Sequence, residues 1–262
     1  MRVHPTAIID PQARLGADVE VKAFTIIEAG VQIGDDCVLG PHAVIRSGTI
    51  LGAGTQVHTG AILGEPPQDA KYAGEPTLLT VGEKNVIREY VTIHRATGEE
   101  ATTSIGNGNM LMAYSHVGHN CEIGNGTMIA NSVGLSGHCV IEDFAVIGGL
   151  VGIHQFVTVG TMAMVGGMSR VVRDVPPYLT AEGNPTKMRG VNVRGLARHG
   201  VSEADRAELK KAYRLLYRSE YNISGALEVI ERDLRATAEI TYLAEFLRRM
   251  DAGYVGRQRN PH

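Results

Sequence analysis

A six-residue repeat is the feature that most constrains the fold of this chain. Every sixth residue from Val3 to Leu63 is a branched aliphatic, and the spacing returns at Val81 and continues from Ile105 to Val171. The fifth place of most hexads holds a small or medium side chain, and the second place often holds glycine. One large and one small inward position in six residues is typical of a parallel β-helix, in which each repeat is a short strand and a turn.

The repeat resembles that of the hexapeptide-repeat transferases, whose left-handed parallel β-helix takes three hexads per triangular coil. This resemblance implies that residues eighteen apart stack at the strand spacing of about 4.8 Å. Cys37, Cys121 and Cys139 then occupy the small inward place. We interpret them as packing residues and not as catalytic thiols.

Two segments interrupt the repeat and are predicted to be loops on this rigid scaffold. Residues 64–80 are rich in Pro and Gly, and residues 95–104 are polar. Long loops on a rigid scaffold usually carry function. We therefore expect a β-helix over residues 1–190 with these two loops, followed by a small helical domain over residues 191–262.

The end of the chain has helical patterns. The periodicity stops after Pro176-Pro177, and the chain is expected to become helical from there. Ser202 to Asp205 forms a plausible capping box for a helix to about Ser219, with Leu209, Ala212, Tyr213 and Leu216 on one face. A second helix is expected from Ser224 to Arg235, and a third from Thr237 or Glu239 to Met250. This domain carries cations such as Lys210, Lys211 and Arg214. They form either a solvated helical face or a docking surface for an acidic partner.

Composition narrows the class of protein. A net charge of −3 gives no reason to expect a nucleic-acid partner. The chain contains no apolar run long enough for a transmembrane segment, and the first five residues lack the apolar core of a signal peptide. Three cysteines, an odd number, argue against a disulfide framework. We therefore expect a cytoplasmic protein.

Several histidines are candidates for chemistry, and His119 is the strongest. It is the third residue of its hexad, which is not an inward place, and the residue eighteen positions later is Gly137, followed by His138. An imidazole facing a bare glycine could accept a proton while a nearby backbone N–H donates to an oxyanion. His116 and His154 are expected near the corners of the coil, in a structural, positioning or chemical role. Because some β-helix carbonic anhydrases bind zinc through three histidines across a subunit interface, these four histidines leave a zinc site open as an alternative.

Six sequence segments carry a closer resemblance. They are QDAKYAGEPT (68–77), IREYVTIHRAT (87–97), SHVGHNC (115–121), IGGLVGIHQF (147–156), DVPPY (174–178) and GVNVRGLARHG (190–200). In this order they resemble the acyl-[acyl-carrier-protein]:UDP-N-acetylglucosamine O-acyltransferases, and the match covers nearly the whole chain.

The resemblance implies an activity. It implies transfer of a 3-hydroxyacyl group from acyl carrier protein to the 3-hydroxyl of UDP-GlcNAc, the first step of lipid A synthesis, in a homotrimer and without metal or cofactor. It makes His119 the general base and Gly137 the donor of the oxyanion N–H. It also implies substrate contacts for ten residues: Gln68, Asp69, Lys71, His116, His138, His154, Gln155, Asn192, Arg198 and His199.

The chain departs from the family pattern at a few positions. Asn120 stands where the family often has aspartate, His199 where it has a second arginine, and Arg194 where an acidic residue is common. Gly167, in contrast, matches a family position where a missing side chain leaves room for a longer acyl chain, and Pro185 stands where a histidine can lie near the acyl tail. A sister activity, N-acylation of an amino sugar nucleotide including a 3-amino UDP-GlcNAc analogue, stays open because of Asn120.

Overall fold

A computed structural model describes residues 1–254 and 256 of this chain. Residues 255 and 257–262, which fall within the predicted helical domain, lie outside the described part. The 26 strands up to Val171 are short, most of them two residues long, because each hexad supplies one strand and one turn. They are β1 (Arg2–Val3), β2 (Ile8–Ile9), β3 (Arg14–Leu15), β4 (Glu20–Val21), β5 (Ile26–Ile27), β6 (Gln32–Ile33), β7 (Val38–Leu39), β8 (Val44–Ile45), β9 (Thr49–Leu51), β10 (Gln56–Val57), β11 (Ile62–Glu65), β12 (Leu78–Val81), β13 (Val86–Ile87), β14 (Thr92–His94), β15 (Thr102–Ile105), β16 (Met110–Leu111), β17 (His116–Val117), β18 (Glu122–Ile123), β19 (Met128–Ile129), β20 (Gly134–Leu135), β21 (Val140–Ile141), β22 (Val146–Ile147), β23 (Gly152–Ile153), β24 (Thr158–Val159), β25 (Met164–Val165) and β26 (Arg170–Val171).

Every third strand joins the same sheet, so the chain winds around three parallel sheets and the predicted β-helix is confirmed. We call them sheet 1 (β1, β4, β7 and onward to β25), sheet 2 (β2, β5, β8 and onward to β26) and sheet 3 (β3, β6, β9 and onward to β24). Arg2 pairs with Glu20 and His116 with Gly134, which is the predicted step of eighteen residues. Each strand therefore hydrogen-bonds to the equivalent strand of the next coil.

Two loops lengthen single coils without breaking this register. Ile62 pairs with Thr92, and Thr92 pairs with His116, so the inserted residues amount to whole hexads in each case. The first loop (residues 66–77) and the second loop (residues 95–101) are shorter than predicted, because β12 begins at Leu78 and β15 at Thr102. The buried side chains of Leu79 and Thr103 return the chain to the inward pattern at these points.

The interior of the β-helix consists of the repeated aliphatic residues. Side chains such as Ile45, Leu63, Ile129 and Leu135 are fully buried, and a buried side chain of this size contributes about 1.5–3 kcal/mol relative to exposure. Cys37, Cys121 and Cys139 are all fully buried, as predicted for packing residues.

Three corners join the sheets, and each is a column of residues in the left-handed backbone region. The apolar corner, between sheets 1 and 2, carries Phe24, Tyr90, Tyr114, Leu150 and Met168. The histidine corner, between sheets 2 and 3, carries Asn120, His138 and Phe156, and both loops leave the coil there. The helical corner, between sheets 3 and 1, carries Phe144, Met162 and Tyr178.

The chain does not become helical directly after Pro177, contrary to the sequence prediction. Strands β27 (Leu179–Glu182) and β28 (Lys187–Val191) first form an antiparallel hairpin, and β27 pairs with β25 at the end of sheet 1. This hairpin pairs with the last coil of sheet 1, so that strand edge is not left open. Its alternation is too short and irregular to have been read from the sequence.

Four helices follow the hairpin, as expected for a helical domain. They are α1 (Val193–Arg198), α2 (Glu203–Tyr217), α3 (Ile223–Asp233) and α4 (Ala238–Asp251). Ser202 caps α2 by accepting from the Asp205 N–H, and the predicted face of Leu209, Ala212, Tyr213 and Leu216 is buried. The cap of α3 is Asn222 and not Ser224, and the six-residue α1 was missed because it is too short for a periodic pattern. No helix of residues 1–254 is both long enough and apolar enough to cross a membrane.

Candidate active site

A cavity of about 490 Å³ lies on the outer surface of sheet 2 beside the histidine corner. Six of the predicted site residues line it: Gln68, His116, His119, Gly137, His154 and Gln155. They come from the first loop and from three successive coils. The β-helix register therefore brings together residues that are far apart in sequence.

The floor of the cavity is open because two outward positions of sheet 2 are glycine. His116, Gly134, Gly152 and Arg170 stack on successive coils. A Cβ atom added at Gly134 or Gly152 would meet no atom within 4 Å. The resulting trough runs between the imidazole of His116 and the guanidinium of Arg170, a residue that the sequence analysis did not single out.

His119 faces Gly137 of the next coil, as the register predicted. A Cβ atom added at Gly137 would lie 2.5 Å from both Cε1 and Nε2 of the ring, so only glycine fits against this imidazole without a shift. His119 is 7% exposed, and this small exposed part lies on the cavity wall. It is thus more enclosed than its non-inward hexad place suggested, because neighbouring coils cover most of the ring.

Asn120 determines how the ring of His119 is held. The Asn120 Oδ1 atom accepts from the Thr97 N–H at 3.0 Å, and the Nδ2 atom donates to the Thr97 carbonyl at 3.0 Å, so the amide orientation is determined. The same Oδ1 lies 2.8 Å from His119 Nδ1. Because an amide oxygen can only accept, Nδ1 is the protonated nitrogen, and Nε2 of the neutral ring keeps its lone pair.

His138 and His154 extend the site along the histidine corner. The His138 ring stacks on Phe156 at 4.6 Å and meets the His119 ring edge-on at 5.2 Å. His154 is exposed, and its Nδ1 lies 3.3 Å from the Gln155 carbonyl. His116 does not lie at a corner, contrary to expectation. Its hexad place is the outward residue of strand β17.

Sequence reasoning missed His94, which also lines the cavity. It is 5% exposed, its Nδ1 has no hydrogen-bond partner in the described part of the chain, and its ring meets that of His116 edge-on at 4.9 Å. Burial, and next the neighbouring His116, lower the pKa of His94 to about 4. The available signal was that a histidine stands in a hexad place that often holds glycine.

His116 also makes a hydrogen bond to a residue of the neighbouring strand in sheet 2. Its Nδ1 lies 2.8 Å from the Thr92 hydroxyl on β14, one coil below. Burial lowers the pKa of His116, and the nearby His119 lowers it further. Both His94 and His116 are therefore biased toward the neutral form.

The first loop contributes Gln68 to the cavity, whereas the other two predicted loop residues do not line it. The Lys71 N–H donates to Asp69 Oδ1 at 3.0 Å, which forms a local turn. Lys71 is exposed.

The remaining predicted residues lie away from this cavity in the single chain. The side chain of Asn192 caps α1 and donates to the Met162 carbonyl at 2.8 Å, and the His199 ring packs against Phe144 at 4.6 Å, so both lie at the helical corner. Arg198 is exposed at the end of α1. Gly167 precedes Met168 at the apolar corner, and Pro185 lies between β27 and β28.

The zinc site considered from the sequence would need three protein ligands within reach of one ion. Within residues 1–254 and 256, no group of three or more His, Cys, Asp or Glu side chains is placed to hold a metal ion.

Comparisons with known proteins agree with these features. Residues 174–255 match the family model "Udp N-acetylglucosamine O-acyltransferase; Domain 2", and residues 12–47 and 102–137 match the bacterial transferase hexapeptide model. The acyl-[acyl-carrier-protein]–UDP-N-acetylglucosamine O-acyltransferase of Saccharophagus degradans is 44% identical over 97% of this chain and 98% of its own length. That of Syntrophobacter fumaroxidans is 43% identical over 97% of this chain and 100% of its own.

A solved structure has the same fold along nearly the whole chain. The crystal structure of LpxA, a UDP-N-acetylglucosamine acyltransferase from Bacteroides fragilis, superposes with a TM-score of 0.92 and 39% identity, covering 94% of this chain and 96% of that one. The resemblance that the six sequence segments indicated is thereby confirmed. This chain belongs to the acyl-[acyl-carrier-protein]–UDP-N-acetylglucosamine O-acyltransferase family.

Proposed function

We propose that this chain transfers a 3-hydroxyacyl group from acyl carrier protein to the 3-hydroxyl of UDP-GlcNAc, with His119 as general base. The observation that carries the proposal is the His119 ring, whose Nδ1 lies 2.8 Å from Asn120 Oδ1 while Nε2 faces the bare backbone of Gly137 in an open cavity. Family membership supports the substrates, and through them a place at the start of lipid A synthesis.

The reaction proceeds through a tetrahedral intermediate. Nε2 of His119 accepts the proton of the sugar hydroxyl while that oxygen attacks the thioester carbonyl carbon. The Gly137 N–H donates to the oxyanion, and the missing side chain leaves this approach open. The C–S bond then breaks, the thiolate takes the proton from the imidazolium, and the ester remains. The steps balance without a metal, a cofactor or a covalent enzyme intermediate.

The sugar nucleotide is held by groups around the base. The sugar and phosphate are bound by three residues of the first loop, Gln68, Asp69 and Lys71. The reacting atoms are surrounded by His116, His138, His154 and Gln155. Asn192, Arg198 and His199 serve the nucleotide, since a guanidinium can donate two parallel hydrogen bonds to a diphosphate. An acyl tail reaches the region of Gly167 and Pro185.

A homotrimer would bring the residues around the base together with the nucleotide-binding residues. The first group lies at the histidine corner, and Asn192 and His199 lie at the helical corner of the same chain. A complete site therefore needs the helical corner of another copy. The apolar corner supports self-association, because Tyr114, Leu150 and Met168 are 62% exposed or more there. We place the assembly in the cytoplasm, where its buried cysteines stay reduced.

Mass spectrometry of the product tests the activity. The purified protein is incubated with a mixture of 3-hydroxyacyl-carrier proteins and UDP-GlcNAc, and the product mass reports both the chain length and the ester link. We expect an ester from the wild type and its loss in His119→Ala. The exposed His4 provides a matched control, His4→Ala, that should keep full turnover. Absence of an ester from the wild type would contradict the proposal.

A 3-amino analogue of the sugar is the second candidate acceptor, because Asn120 replaces the family's usual aspartate beside the base. An amine is a better nucleophile than a hydroxyl and needs less help from a charged dyad. Equal concentrations of the two sugar nucleotides in one assay separate the candidates. A predominant amide product would show that the 3-amino sugar is the preferred acceptor and that the reaction is N-acylation.

A further inference from the structure

Glu75 joins the two loops that leave the histidine corner. Its Oε1 accepts from the Gly98 N–H at 2.8 Å and from the Thr97 hydroxyl at 3.3 Å, both on the second loop. Its Oε2 accepts from the Ala73 N–H at 2.8 Å, on the first loop. One carboxylate therefore satisfies donors on both loops.

The Glu75 carboxylate is charged throughout the range in which a histidine base works. The backbone N–H of Gly98, followed by those of Glu75 and Ala73, lowers the pKa of Glu75 to about 2. Hydrogen bonds to an ionised acceptor are roughly twice as strong as neutral ones. The contact between the loops therefore involves the ionised carboxylate at neutral pH.

Thr97 connects this contact to the imidazole. Its hydroxyl donates to Glu75, whereas its backbone N–H and carbonyl are paired with the side-chain amide of Asn120. The Asn120 oxygen in turn accepts from His119 Nδ1 at 2.8 Å. A continuous chain of hydrogen bonds thus runs from Glu75 through Thr97 and Asn120 to His119.

We infer that Glu75 is a positioning residue that sets the tautomer and orientation of His119 through Thr97 and Asn120. The inference rests on the proposed function. Gln68 lines the cavity on the same loop as Glu75, so the carboxylate holds the sugar-facing loop and the base in one geometry. Without it, Thr97 loses its anchor on the first loop, and the amide of Asn120 is no longer held in one place.

The tautomer of His119 gives a test that needs no substrate. Imidazole ¹⁵N NMR, with the His119 signal assigned by its absence in His119→Ala, should show protonated Nδ1 in the wild type. In Glu75→Ala a mixture of both tautomers is expected. The control is Glu99→Ala, which removes an exposed carboxylate from the second loop, the loop that carries Thr97. It should keep the wild-type tautomer. An unchanged tautomer in Glu75→Ala would overturn the inference.

Kinetics provide a second test through a double-mutant cycle. Glu75→Ala should lower kcat about 10- to 100-fold, the loss typical of a misplaced catalytic group. Asn120→Gly removes the amide but keeps a residue suited to the left-handed backbone at φ 57°. In that background Glu75→Ala should lower kcat less than threefold further, because the connection is already broken. Fully additive losses would overturn the inference.

A milder variant protects the test against misfolding. Glu75→Gln keeps an acceptor for Gly98 but turns an NH₂ group toward the Ala73 N–H, so a smaller fall in kcat than for Glu75→Ala is expected. Wild-type kcat in a folded Glu75→Gln and Glu75→Ala pair would count against the inference. If the wild type itself forms no ester, the proposed function fails, whereas the NMR measurement still decides the connection from Glu75 to His119.

Discussion

The Nδ1 atom of His119 lies 2.8 Å from the side-chain oxygen of Asn120, and that oxygen also accepts from the Thr97 N–H. An amide in this place fixes the tautomer of the ring without adding a negative charge. A carboxylate could accept the same two hydrogen bonds, but it could not donate to the Thr97 carbonyl as Nδ2 does. Asparagine thus suits the neighbouring second loop of this chain.

Asn120→Asp should move the acid limb of the kcat/KM profile to higher pH. A carboxylate beside the imidazole favours the imidazolium form, and a protonated ring cannot act as base. The lost bond to the Thr97 carbonyl should also lower kcat. Asn120→Gly, which brings no charge, should lower activity without moving the limb. A limb at the same pH in Asn120→Asp and wild type would contradict this account.

Gly137→Ala should lower kcat/KM by about 100-fold while leaving the fold intact. The added methyl would lie 2.5 Å from Cε1 and Nε2 of His119 and would displace the ring. Gly134→Ala is the control on the floor of the same cavity, where the new methyl meets no atom within 4 Å. Its effect should be a few-fold at most. Circular dichroism and thermal unfolding check both variants, and similar losses in the two would argue against a special contact at Gly137.

Stability should fall as the pH drops from about 6.5 to about 4. The folded-state pKa of His94 is lowered to about 4 by burial, so in this range the unfolded chain binds a proton at His94 that the folded chain does not. The resulting loss in the free energy of unfolding is at most about 3 kcal/mol. Denaturant unfolding of His94→Gln should show a smaller loss between pH 7 and pH 4.5 than the wild type. The control His4→Gln, at an exposed histidine, should lose as much stability between pH 7 and pH 4.5 as the wild type. An equal loss of stability in all three proteins would refute the assignment of this pH dependence to His94.

Charge reversal on α2 should weaken use of the carrier protein. Lys210 and Arg214 are exposed on this helix, whereas Lys211 pairs with Glu208 at 2.8 Å and is a poorer probe. Lys210→Glu with Arg214→Glu should raise KM for the carrier-bound donor about tenfold at low salt, and less at high salt.

Two controls isolate the docking effect. An acyl-pantetheine donor without the carrier protein should react equally well with the wild type and the α2 variant. Arg2→Glu with Arg14→Glu, on exposed residues of the first coil, should leave KM unchanged. A KM for the carrier-bound donor that α2 reversal leaves unaltered would remove this helix from the docking surface.

Much of the site could be predicted because the repeat converts sequence position into spatial position. Once Val117 and Leu135 are assigned to equivalent inward places, His119 must lie beside Gly137 one coil later. The same logic identified the three cysteines as core residues. The hairpin β27–β28 and helix α1 escaped prediction because neither is long enough to repeat a pattern.

The sequence by itself determined the β-helix, because inward aliphatic residues recur at a constant interval of six. Its register and the pairing of His119 with Gly137 followed once the family resemblance implied three hexads per coil. Tertiary structure alone decided how the two loops fold back on the histidine corner. There Glu75, Thr97 and Asn120, which have no common period, come into hydrogen-bond contact. It also decided that His94 is buried without a partner for Nδ1 among the described residues. Such contacts depend on the path of irregular backbone, which local periodicity does not encode.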